Sequence, residues 1–235
     1  MDTSKLKTWL NTLKNTINFE TVATQVFSRL IHGTGPGLLV IYGPPHNPPW
    51  PDEKKVNKTY FLNVVEALQH GCPDMVKEFV SPELWSLLSR LNSISPEAWH
   101  LAPRHNESAY QCTNIVNIIK EFNLEPGAAN FRIPLGVTTS VALALTATQV
   151  DYLGQETEEG YLWSSNIGGN SVILCDDLPR FMEYNTEANE QFLIYLSHLL
   201  NKRRAMTFLA TAPLKGDNYW EGLLGVEHVL NLGWD

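Results

Sequence analysis

The 235-residue chain is 43% hydrophobic, ordinary for a packed core, which excludes wholesale disorder. Its formal net charge of −8 argues against a protein coated in nucleic acid, and no apolar run nears the roughly 20 residues needed to span a bilayer. Cys72, Cys112 and Cys175 are scattered and form no CxxC pair, which argues against a disulfide framework or zinc centre and for a reducing, cytoplasmic setting.

The N-terminal segment opens with capping side chains at Asp2, Thr3 and Ser4. Leu6, Trp9, Leu10, Leu13 and Ile17 then follow at helical spacing, and Val22, Val26, Phe27 and Leu30 mark a second helix over Phe19–Ile31. Residues 1–34 are thus expected to form a helical layer, with an α/β domain over 35–235. The glycines and proline of residues 33–37 stop the second helix. Leu38–Tyr42 reads as the first buried strand. Gly43-Pro44-Pro45 ends it and opens a proline-rich loop around Trp50. Past Lys58-Thr59, the residues Phe61, Val64, Val65 and Leu68 predict another helix.

Val76–Val80 is expected to be a strand. Ser81-Pro82-Glu83 is a helix start, because Ser caps and Pro fits the first turn. Ser95-Pro96-Glu97 suggests a further short helix, and Trp99–Ala102 a strand. His100 and His105 do not have the spacing of a metal-binding pair on one helix turn. Ala109–Phe122 has helical periodicity, and Phe131–Leu135 is expected to be a strand. The turn Gly136–Ser140 then leads into Val141–Val150, which is apolar nearly all round and reads as a buried helix. Glu156–Glu159 reads as an acidic turn and Gly160–Trp163 as an edge strand.

The most informative stretch is Asn170–Pro213. A short apolar strand, Ser171–Cys175, ends in Asp176-Asp177. A helix is expected over Glu190–Leu200. The basic run Lys202-Arg203-Arg204 precedes a second apolar strand, Ala205–Ala210, with Thr211 at its end. Strand, crossover helix and strand is the repeating unit of an open parallel α/β sheet, whose ligands sit beyond the carboxyl ends of the strands. The fold expected is a three-layer α/β domain with a mainly parallel sheet. The loop Leu214–Gly222 is polar, and Val226–Leu232 reads as a final edge strand.

Strand, Gly43-Pro44-Pro45, Lys58-Thr59 and apolar helix resemble the phosphate-binding start of a P-loop NTPase, and Val172–Asp177 resembles its second motif. Ala205–Thr211 resembles the next strand of RecA-like and AAA-type ATPases, whose terminal polar residue senses the γ-phosphate. The lysine of that family comes six positions after the first glycine, whereas Lys58 lies fifteen after Gly43 and Asn57 replaces the usual glycine. The resemblance is therefore to a degenerate phosphate loop. It implies ATP as ligand, held at Gly43, Lys58 and Thr59, with Thr211 at the γ-phosphate. Mg²⁺ would sit on Thr59 and Asp176, and Asp177 would orient the attacking water if turnover occurs. Decay of the loop favours binding over turnover. The basic run Lys202–Arg204 would offer a cation to a phosphate across a subunit interface.

The function implied is an ATP-binding or assembly subunit of a nucleic-acid-handling complex, with protein partners, nucleic acid reached through the complex, and no membrane. Two alternatives stand beside it. The turn Gly136–Ser140 resembles the Thr-rich ligand turn of Rossmann-like cyclic-oligonucleotide sensor domains of CRISPR systems, which implies a nucleotide sensor. A non-catalytic structural subunit that lost the site is the other, with Trp50 and Trp220 as exposed interface aromatics.

Overall fold

A computed structural model describes residues 2–43, 57–94, 97–101, 150–157, 160–165, 171–176, 178–181, 206–213 and 218–233, together with 190, 193, 194, 197, 198, 200 and 201. The chain starts with helices α1 (Thr3–Lys14) and α2 (Phe19–His32). Asp2 caps α1, its carboxylate accepting from the backbone N–H of Ser4 at 3.1 Å and of Lys5 at 3.4 Å. Left-handed Gly33, at φ 64°, ends α2, a backbone conformation that glycine adopts without a Cβ clash. Leu6, Leu10 and Leu13 are buried as their spacing predicts, but Ile17 lies beyond the end of α1 in the turn to α2 and is 69% exposed.

Strand β1 (Leu38–Gly43) is followed by α3 (Asn57–Leu68), a 3₁₀ turn over Asp74–Glu78, α4 (Pro82–Leu88) and a second 3₁₀ turn over Ser89–Ser93. The expected strand at Val76–Val80 is that first 3₁₀ turn. Pro73 leads into it, and Val76 alone within it is buried. Ser81 caps α4 as expected, its hydroxyl accepting from the Leu84 N–H at 3.1 Å. Strand β2 spans Glu97–Leu101, so Glu97 extends a strand rather than starting a helix. Strands β3 (Val150–Thr157) and β4 (Gly160–Ser165) form an antiparallel pair. Val150 thus opens a strand, and Glu156 lies within one.

Strand β5 (Ser171–Cys175) precedes a one-turn helix, α5 (Leu178–Phe181). The described positions from 190 to 201 are helical. Strand β6 (Met206–Pro213), helix α6 (Tyr219–Leu224), a 3₁₀ turn over Val226–His228 and strand β7 (Val229–Asn231) complete the chain. The last strand is shorter than the expected Val226–Leu232.

Five strands form one sheet in the order β2-β5-β6-β1-β7, and every pairing in it is parallel. The fold is α/β. Alternation along each strand sends residues to both faces, as expected for strands buried on either side. Leu39, Ile41, Val172, Leu174, Leu209 and Leu230 face a core shared with α1, α2, α3 and α4. Leu38, Val40, Tyr42, Cys175, Phe208, Ala210 and Ala212 face a second core with Leu178, Leu193, Leu200, Trp220 and Leu224. Among the described residues no helix is long and apolar enough to cross a membrane.

Trp220 is 1% exposed and belongs to that second core. This corrects its reading as a surface aromatic. Tyr219–Leu224 is a helix whose Trp220 and Leu224, four residues apart, point inward together.

Candidate functional site at the carboxyl edge of the sheet

A parallel sheet places the ends of all its strands on one edge. Here β1 ends at Gly43, β5 runs into Asp176, and β6 carries Thr211 near its end. Strand β6 lies between β1 and β5, with Ile41 opposite Thr211 and Cys175 opposite Ala210. The middle strand therefore brings Thr211 between the acid-bearing strand and the strand that leads to α3. Lys58 and Thr59 stand in the first turn of α3, where backbone N–H groups lack helical partners and the helix dipole favours anions.

The side chains converge on one carboxylate. Thr59 Oγ1 lies 3.2 Å from Asp176 Oδ1 and 3.1 Å from Oδ2, donating across a sequence separation of 117 residues. Thr211 Oγ1, from β6, also donates to Asp176 Oδ1. Thr211 is fully buried, Asp176 and Thr59 are half-buried, and Lys58 is only 2% exposed. Burying an ammonium to this degree calls for hydrogen bonds or opposite charge around it.

The sequence-predicted residues thus fall into three groups. Thr59, Asp176 and Thr211 meet in one hydrogen-bonded cluster. Lys58 and Gly43 occupy the helix start and strand end that frame it. Asp177, the turn Gly136–Ser140, the run Lys202–Arg204 and Trp50 lie outside the described residues.

A carboxylate and two hydroxyls are hard oxygen donors, which suits Mg²⁺ and not a soft transition metal. Mg²⁺ commonly takes one or two carboxylates and fills its remaining positions with water and substrate phosphate. Among the described residues no group of three or more His, Cys, Asp or Glu side chains is placed to enclose an ion. The donor set among the described residues suits a hard cation as part of a larger oxygen shell.

No family model matches the chain, and comparison with curated proteins finds no match.

Sequence reasoning missed a second polar group at the same edge. Tyr42, one residue before Gly43, donates to Glu221 Oε2 at 3.1 Å, and Tyr219 donates to Glu190 Oε1. Burial, reinforced by these carboxylates, raises both phenols above their ordinary range, so both keep their protons at neutral pH. Tyr219 also packs edge-on against Trp220, with ring centroids 4.8 Å apart. A signal was present in the tyrosine beside the strand-ending glycine, but its acid partner lies 179 residues away.

Proposed function

We propose that the protein is a P-loop NTPase-like subunit with a degenerate phosphate loop, which binds ATP with Mg²⁺ at the carboxyl edge of its sheet. Lys58 and the first turn of α3 hold the phosphates. Thr59 and Asp176 are the residues that would hold Mg²⁺, which neutralises phosphate charge when bound. Asp177 follows Asp176 directly and is the group to orient water if hydrolysis occurs.

The observation that carries the reading is the Thr59–Asp176 contact at 3.1 Å. A threonine at a helix start and an acid at a strand end had no sequence-local reason to meet. A sheet whose central strand separates the phosphate-loop strand from the acid-bearing strand is also what RecA-like and AAA-type NTPases use, which supports the reading by fold analogy. We read the domain as a three-layer sandwich, with residues 1–34 as a helical layer on 35–235; the two cores on opposite faces of the sheet support this. In the cell we place it in the cytoplasm, in a protein complex through which nucleic acid is handled.

Calorimetry with ATP and excess Mg²⁺ tests the reading. Wild type binds, and Lys58→Ala weakens binding by at least about tenfold, the loss expected for one charge-assisted hydrogen bond. No binding by folded wild type at millimolar ATP, or equal binding by Lys58→Ala, contradicts it.

A further inference from the structure

We infer that Thr211 is a positioning residue for the metal-binding carboxylate and not a sensor of the γ-phosphate. The inference rests on the proposed nucleotide site and departs from the role that resemblance alone assigns to Thr211. Its hydroxyl carries one proton, and that proton is committed to Asp176 Oδ1. The side chain is fully buried on a central strand, flanked on either side by β1 and β5. It therefore has little freedom to swing toward a ligand without abandoning Asp176.

The two threonines that share Asp176 differ in what they must do when a cation arrives. Thr59 is half-buried at the start of a helix, and its hydroxyl bonds both carboxylate oxygens. A hydroxyl that ligates a cation presents a lone pair, so Thr59 must turn its proton away from the metal. Thr211 bonds Oδ1 of Asp176 from a β position on a central strand. It can keep that bond while Thr59 turns, fixing the carboxylate as Oδ2 is released to the cation. A partner that orients a ligating carboxylate typically supports about 10- to 100-fold of metal affinity.

Two ligands separate the roles, because only ATP carries a γ-phosphate. Binding of ATP and of ADP is measured by calorimetry across a Mg²⁺ series and in EDTA, for wild type, Thr211→Val and Thr211→Ser. Mn²⁺ alone is titrated in parallel and followed by electron paramagnetic resonance. Circular dichroism and urea melts confirm that each variant is folded.

We expect Thr211→Val to raise the Mg²⁺ concentration for half-maximal effect by about tenfold, equally for ATP and ADP. Its affinity for metal-free nucleotide stays within about twofold of wild type, and Thr211→Ser restores the Mg²⁺ response by keeping the hydroxyl. A loss confined to ATP would return Thr211 to the γ-phosphate and overturn the inference. An unchanged metal response in folded Thr211→Val overturns it as well, while leaving nucleotide binding intact. Wild type that binds Mn²⁺ but no nucleotide defeats the nucleotide reading alone; the inference then stands or falls on whether Thr211→Val weakens Mn²⁺ binding. Wild type that binds neither removes both.

Discussion

Asp176 accepts hydrogen bonds from residues on two different elements, and its neighbour Cys175 is fully buried among apolar side chains. One step along the chain thus separates core from chemistry. Cys72 illustrates the opposite case. Burial, with the nearby Asp74 carboxylate second, pushes its thiol up to about 12, so it stays protonated and behaves as a small hydrophobe. Trp220 Nε1 is buried with no hydrogen-bond partner among the described residues. A buried unsatisfied donor costs about 1–3 kcal/mol, so removing it offsets part of the lost packing. We predict that Trp220→Phe changes unfolding free energy by less than about 1 kcal/mol, whereas Trp220→Ala costs about 3–5 kcal/mol. Equal losses in urea melts would mean that the indole N–H is satisfied in solution.

At the scale of elements, the helical positions Leu200 and Asn201 dock by close approach to the start of β1. Arg29, itself buried, donates to the Leu200 carbonyl at 2.8 Å, to those of Gly33 and Gly35 at 3.1 Å each, and to Thr207 Oγ1 at 3.4 Å. Gly37 N–H donates to Asn201 Oδ1 at 2.9 Å. A Cβ on Gly37 would lie 2.5 Å from Leu200 Cβ and 2.6 Å from its carbonyl carbon and oxygen. Gly37→Ala must therefore move either β1 or the helix end, with an expected loss of about 1–3 kcal/mol. Gly222→Ala is the control. A Cβ there meets nothing within 4 Å in the middle of α6, so the variant should be neutral or gain about 0.5–1 kcal/mol. Equal urea midpoints for Gly37→Ala and wild type would refute the close approach. Sequence could not flag Gly37 among the glycines of residues 33–37, because its constraint comes from a residue 163 positions later.

At the scale of the whole molecule, local patterns were legible and pairings between distant segments were not. Leu6, Leu10 and Leu13, or Phe61, Val64, Val65 and Leu68, repeat at helical spacing and are buried together. Short apolar runs carry no such period. Val76–Val80 read as a strand because five residues cannot distinguish a strand from a 3₁₀ turn. Trp220 was read into a polar loop because α6 is only six residues long. Strand order depends on hydrogen bonds between segments up to 189 residues apart, as in Val40 opposite Val229, and no local pattern encodes it. The candidate site follows the same division. Lys58-Thr59 and Asp176 each stand out by local context, but the contact of Thr59 with Asp176 is a property of the order β2-β5-β6-β1-β7.

That meeting is the central claim, and locating a bound cation tests it most directly. Crystals grown with ATP and Mn²⁺ would be measured at a wavelength that gives manganese an anomalous signal. One peak is expected within coordination distance of Asp176, with Thr59 beside it and phosphates at the start of α3. A fully occupied nucleotide or manganese elsewhere in the fold, with Asp176 still bonded only to its two threonines, would contradict it.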